Sequence, residues 1–189
     1  MNPHVIFVCV ANRLRSVFAE FYFRDALERR GEDVTVSSAG FVPQALREKL
    51  ARAHIPFPDP FFNRPMSELT RKALLAKGIS VPESWRSEEL HPEMVEGADL
   101  IVTALGVQKE ELSYLYDAAR HKIFSLREMS EKEGYLYFED TSAFPLNQDY
   151  WYHVEEDPEY VSRILREWEE TLVGAIPNIT RRLGLRERM

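Results

Sequence analysis

A single cysteine, Cys9, stands in a chain of 189 residues. One thiol forms no intramolecular disulfide and no zinc site of two or more thiolates, so a reducing, cytoplasmic setting is expected. An excess of positive charge is also missing: 24 Lys and Arg stand against 31 Asp and Glu, a formal net charge of −7. A general nucleic-acid surface needs the opposite balance, so no nucleic-acid partner is expected and any phosphate chemistry must be local. Long apolar runs are absent too. The longest, Val5 to Ala11, falls far short of the roughly 20 residues of a membrane span, and only His4 precedes it where a signal peptide carries a basic region. Neither a membrane partner nor a secretory route is expected. His4, His54, His91, His121 and His153 show no metal-ligand spacing, and no metal or cofactor is expected.

What is present suits one domain spanning 1–189. Hydrophobic residues make up 44% and charged residues 29%, enough to bury a core without staples. Val5-Ile6-Phe7-Val8-Cys9-Val10 reads as a strand buried on both faces. Val17, Phe18, Phe21, Tyr22 and Leu27 recur at helical spacing up to Gly31, which predicts a helix over 16–30 ending at a glycine C′. Further strands are predicted at Val34–Ser38, Leu100–Ala104 and Lys122–Leu126, with helices at Leu69–Lys77, Gln108–Ala119 and from Pro158 to about Leu183. Four strands alternating with helices predict an α/β fold: a three-layer, doubly wound, four-stranded parallel sheet with flanking helices.

Two stretches resist this pattern. Residues 41–65 hold five prolines, with Phe57, Phe61 and Phe62, around a short helical piece at Gln44–His54, and 135–153 is aromatic without clear periodicity. Long loops in a compact domain are commonly lids or binding surfaces, so both are expected to rim the functional site.

The chemistry concentrates in Cys9-Val10-Ala11-Asn12-Arg13-Leu14-Arg15-Ser16, between the first strand and the first helix. Consecutive backbone N–H groups in such a loop point inward, the helix N-terminus adds partial positive charge, and Arg15 can grip two oxygens bidentately. This is a loop for a phosphoryl group. The same features stabilise a thiolate at Cys9, helped by a hydroxyl hydrogen bond from Ser16. Asn12 suits a left-handed backbone position, and Arg13 is expected to point to solvent.

Val8-Cys9, Asn12 and Arg15-Ser16, then Ser38-Ala39-Gly40, Gly78-Ile79, Ala98 to Val102 and Asp157-Pro158, together resemble the low-molecular-weight protein tyrosine phosphatases. The resemblance implies a four-stranded parallel sheet with flanking helices and a hydrolase without cofactor. It implies Cys9 as nucleophile, Arg15 and the backbone of 10–15 as the phosphate cradle, Asn12 fixing the loop, and Ser16 assisting thiolate departure. Val10, Ala11, Asn12, Arg13, Leu14 and Ser38 would surround the substrate. Asp157, in the downstream Asp-Pro pair, would be the general acid, with Asp140 and Asp149 as fallback candidates; no acidic residue precedes Cys9.

The implied partner is a phosphorylated protein, phosphotyrosine foremost, or a small phosphate ester, with phosphate as product and inhibitor. Phosphoarginine is a lesser alternative. A catalytically weak phosphate-binding module on the same fold is the competing class, and a phosphocysteine carrier a third. The departures from the family pattern are Ala11 for Gly, Val17 for Pro, Leu14 for a Cys, Trp85 for a His, Leu105 for an Asp, and Glu159 where an aromatic often stands. With no second cysteine, an arsenate-reducing relay is not expected.

Overall fold

The computed structural model describes residues 2–134, 136–139 and 146–185. Four strands, β1 (His4–Cys9), β2 (Thr35–Gly40), β3 (Leu100–Thr103) and β4 (Ile123–Ser125), form one parallel sheet in the order β2-β1-β3-β4. Period-2 alternation sends successive side chains to opposite faces. Val5, Phe7 and Cys9 join one apolar cluster with Leu100 and Val102, while Ile6 and Val8 join another with Ile101 and Ile123. A sheet apolar on both faces must be covered on both, which gives the three layers expected.

The first face is covered by α1 (Arg15–Glu28), α3 (Glu68–Leu75), α6 (Leu126–Ser130) and α8 (Pro158–Arg182). In α8 the stripe Val161, Ile164, Leu165, Trp168, Leu172, Ala175 and Ile179 is buried, the periodicity of a helix lying on a core. The second face is covered by α4 (Pro92–Gly97) and α5 (Gly106–Leu115), through Val95 and Leu112. No helix among the described residues is long and apolar enough to cross a membrane.

Element bounds differ from the sequence pattern in a few places. The helix expected over Gln108–Ala119 ends at Leu115, and a 3-10 turn, Asp117–Lys122, carries the chain into β4. Tyr116 leaves helical backbone at φ −122° and ψ 61°. The first of the two stretches without a clear pattern contains α2 (Gln44–Arg52), and the second runs into α7 (Tyr150–Glu155). They pack on each other: Trp151 lies 5.4 Å from the Phe57 ring and 5.3 Å from Phe61, and its indole N–H donates to the Pro56 carbonyl at 2.8 Å.

Sheet order places the loop after β1 at the point where the connections part, β2 to one side and β3 to the other, the usual ligand position in open α/β sheets. The Ser38-Ala39-Gly40 end of β2 runs beside it, with Gly40 paired to Cys9. A Cβ on Gly40 would meet Phe62 Cε1 at 2.3 Å and the Val10 carbonyl at 2.9 Å. Phe62 is itself held edge-on by Phe61 at 4.9 Å. Gly40→Ala is therefore expected to destabilise the fold by about 1–3 kcal/mol through overpacking, lowering Tm by roughly 2–10 °C. Thermal denaturation of the purified variant measures this, and an unchanged Tm would mean that the insertion is free to give way.

Candidate active site

The loop from Val10 to Leu14 is buried throughout. Its left-handed residue is Asn12, at φ 54°, a conformation Asn tolerates better than most side chains. Ala11 is not among the positive-φ residues, so a glycine is not required there by backbone conformation. At the start of α1 no side chain caps the first turn and no acidic residue lies in it. The N–H groups of that turn and the helix dipole are left to an anion.

Asn12 organises what surrounds the thiol. Its Oδ1 accepts from the Glu88 amide at 2.9 Å, which fixes Nδ2 as the donating end. Nδ2 donates to Ser16 Oγ at 3.0 Å and to Ser38 Oγ at 2.7 Å. Each hydroxyl then donates onward, Ser16 to Cys9 Sγ at 3.0 Å and Ser38 to Glu20 Oε2 at 2.6 Å. Ser38 thus supports the loop from behind; neither it nor Asn12 lines the cavity over Cys9. Glu20 is 6% exposed. Burial pushes its carboxyl above the usual range, while the Ser38 hydroxyl, Arg24 and the Trp85 side chain pull the other way. Trp85, in the position where the resemblance implies a His, therefore acts on Glu20. Arg24 holds Glu20 Oε1 at 2.6 Å and the Val36 carbonyl at 2.6 Å.

A small cavity of about 50 Å³ lies over Cys9. Val10, Ala11, Arg13, Leu14 and Arg15 line it from the loop, Leu46 from α2, and Phe138, Tyr150, Trp151, Tyr160 and Ile164 from the later segments. Arg15 Nη1 donates to the Phe138 carbonyl at 2.6 Å. Phe138 is itself fixed, with its amide on Glu167 Oε2 at 2.7 Å and its ring edge-on to Trp168 at 4.9 Å. Tyr150 is buried, which raises its phenol above the ordinary value, against the pull of Arg15. Tyr160 faces the cavity while Glu159 beside it is exposed.

Arg13 does not point to solvent. It is 6% exposed, its Nη1 pairs with Glu155, and its Nε donates to the Pro65 carbonyl at 2.7 Å. Burial, and then Arg64, bring its guanidinium down to about 10. It remains charged at neutral pH, but the Glu155 carboxylate neutralises it. A buried Arg requires such a partner, and the acidic run Glu155-Glu156 supplies one.

Asp157 is the N-cap of α8 and is not in the cavity lining. Its Oδ1 accepts from the Tyr160 amide at 2.9 Å, and its Oδ2 lies 3.2 Å from His153 Nδ1. Asp149 is the exposed N-cap residue of α7, and Asp140 lies outside the described residues. An acid role for Asp157 would require Oδ2 to leave His153, while Oδ1 can keep the Tyr160 amide.

Glu20 and Glu155 escaped the sequence reading. Glu20 had a signal: a carboxylate within the run Val17-Phe18-Ala19-Glu20-Phe21, one helical turn after Ser16 and one before Arg24. Nothing marked Glu155 among its acidic neighbours.

The family model for low molecular weight phosphotyrosine protein phosphatases matches residues 4–57. A curated relative, the protein-arginine-phosphatase of Bacillus subtilis (strain 168), is 31% identical over 124 residues, covering 66% of this chain and 70% of the relative. Among solved structures, a Cys-to-Ser mutant of the arginine phosphatase YwlE with a phosphorylated active-site serine is 25% identical, with TM-score 0.63 over 95% of this chain and 99% of that one. The low molecular weight protein tyrosine phosphatase of T. tengcongensis is 24% identical, with TM-score 0.65 over the same shares, 95% and 99%, and shows likeness of fold.

Two outcomes follow from this geometry. Glycine takes φ 54° more readily than Asn, yet Asn12→Gly strips the hydrogen bonds of Ser16, Ser38 and Glu88. It should lose about 1–3 kcal/mol by chemical denaturation and bind phosphate more weakly by calorimetry; equal stability and binding would mean the amide holds nothing. The Asp157 carboxyl is held below its usual 3.8, first by the Tyr160 amide. A depressed folded value stabilises above the unfolded value and loses that contribution as pH falls through the folded one. Asp157→Ala should cost about 1 kcal/mol at neutral pH. The gap between native protein and Asp157→Asn, read from urea midpoints, should narrow only below about pH 4.

Proposed function

Since the chain belongs to the low molecular weight phosphotyrosine protein phosphatase family, we propose that its Cys9 loop hydrolyses phosphorylated side chains of proteins through a phosphocysteine intermediate. The observation that carries this reading is the Cys9 thiol at the floor of the loop, hydrogen-bonded by Ser16 at 3.0 Å beneath an uncapped helix N-terminus. Cys9 Sγ attacks phosphorus, forming the S–P bond as the bond to the leaving group breaks. Arg15 and the amides of residues 10–15 take the phosphoryl oxygens, and Ser16 stabilises the thiolate before attack and again on departure. Water then cleaves the S–P bond, releasing phosphate and the thiolate. A reducing, cytoplasmic setting suits the free thiol.

The leaving group needs a proton, and a carboxylic acid supplies it before acting as base on water. Asp157 is the acid that the Asp-Pro resemblance implies, but its engagement in the α8 cap favours Asp140, two positions after the cavity-lining Phe138.

Two substrates fit the site. Aryl phosphates, phosphotyrosine among them, suit the rings of Phe138, Tyr150, Trp151 and Tyr160. Phosphoarginine is favoured by the curated relative's activity. A non-catalytic phosphate binder is the less economical reading, because binding alone needs no nucleophile.

Purified protein should hydrolyse p-nitrophenyl phosphate between mildly acidic and neutral pH, and Cys9→Ser should reduce turnover to background. Activity that survives Cys9→Ser, or its absence in the native protein, would defeat the proposal. In the same assay Asp140→Asn should lower kcat by about 10²–10⁴-fold, whereas Asp157→Asn should stay within about threefold; the reverse order would return the acid role to Asp157.

A further inference from the structure

A guanidinium grips two phosphoryl oxygens only when its planar fork is aimed at them, and a long arginine side chain left to itself spreads over many rotamers. Something must therefore hold it. Arg15 is half-buried and lines the cavity with Cys9. Among the described residues no carboxylate pairs with it, and its Nη1 donates to the Phe138 carbonyl at 2.6 Å. That bond spends one N–H of the fork and leaves the rest to an anion. A neutral acceptor fixes the guanidinium without cancelling its charge, in contrast to Arg13, which Glu155 neutralises.

The aim of Arg15 is then as good as the placement of one carbonyl. Phe138 lies in the short 3-10 turn Tyr137–Glu139, whose own hydrogen bonding is too slight to fix it. The hold comes from α8. The Phe138 amide donates to Glu167 Oε2 at 2.7 Å, and its ring stands edge-on to Trp168 at 4.9 Å. Apolar packing is weakly directional and sets where the residue sits, whereas the hydrogen bond sets how its main chain is turned. Glu167 is fixed in its own helix, where the Thr171 hydroxyl donates to its carbonyl at 2.7 Å. The Phe138 amide and carbonyl belong to different peptide units, so Glu167 does not polarise the carbonyl through a shared amide and acts on it by placement.

We propose that Glu167 is a positioning residue for the phosphatase reaction, which by holding the Phe138 main chain aims Arg15 at the phosphoryl group over Cys9. The inference rests on the phosphatase reading above and adds to it a residue of the last helix that does not line the cavity.

The test follows hydrolysis of p-nitrophenyl phosphate and its inhibition by inorganic phosphate in native protein, Glu167→Ala, Glu167→Gln and Asn178→Ala, with thermal denaturation checking each fold. Asn178→Ala is the control, because Asn178 also ties α8 to a main-chain carbonyl, that of Met129 at 2.9 Å, and does not line the cavity. In Glu167→Ala, kcat/KM should fall about 10- to 100-fold, the cost of misplacing a positioning group. The inhibition constant of phosphate should rise at least about fivefold, part of what one charged hydrogen bond carries. That rise separates Arg15 from the general acid, whose displacement lowers kcat without weakening phosphate binding. Glu167→Gln keeps an acceptor for the Phe138 amide and should stay within about threefold of native in both readouts, as should Asn178→Ala. Should Glu167→Ala fail to fold, Glu167→Asp carries the comparison through its shorter arm, with the phosphate constant raised at least about threefold. An unchanged phosphate constant in folded Glu167→Ala, equal losses in Glu167→Ala and Asn178→Ala, or a Glu167→Gln as impaired as Glu167→Ala would each overturn the inference while the phosphatase reading stands. Native protein that does not hydrolyse the ester would remove the phosphatase reading, and the inference with it.

Discussion

One side-chain amide sets the geometry of the loop. Asn12 sits at φ 54° and ties the turn to three neighbours: α1 through Ser16, β2 through Ser38, and the segment after Trp85 through the Glu88 amide. Because Nδ2 donates to both hydroxyls, each hydroxyl is left to donate outward, one to the Cys9 sulfur and one to the Glu20 carboxylate. The direction of every proton in the network is fixed from its centre. An amide does not release its own protons at ordinary pH, so the network anchors the thiol and passes no proton between Cys9 and Glu20. The two acceptor ends influence each other only through space.

The fold was legible wherever an element was long enough to repeat. The β1 run and the α1 and α8 stripes carry many buried positions each, and their period is unmistakable in composition alone. The elements that escaped notice, α4, α6 and α7, have five or six residues, too few turns for a period to register. The loop chemistry was legible because it is local: Cys9, Asn12, Arg15 and Ser16 lie within eight positions.

What the sequence could not display is contact between distant segments. Arg13 looked like a surface cation because its partners lie in other segments, with Pro65 52 positions away and Glu155 142 away. Asp157 shows the opposite difficulty. Asp-Pro before a helix satisfies both a catalytic pattern and a capping rule, and only the hydrogen bonds to Tyr160 and His153 favour the cap. The acidic chain also concentrates positive charge less than its loop suggests, since one of the two loop arginines is already neutralised. The proposed anion site then depends on Arg15 and oriented amides.

The tie between Arg15 and Phe138 spans 123 positions, and Phe138 is fixed in turn by Glu167 and Trp168 of the last helix. The guanidinium beside the first strand is therefore held by segments that leave the ribosome well after it. During synthesis Cys9 emerges with its helix and hydroxyl partner close behind it. The arginine at its side is set only once α8 has docked, so the loop reaches its finished form together with the whole domain.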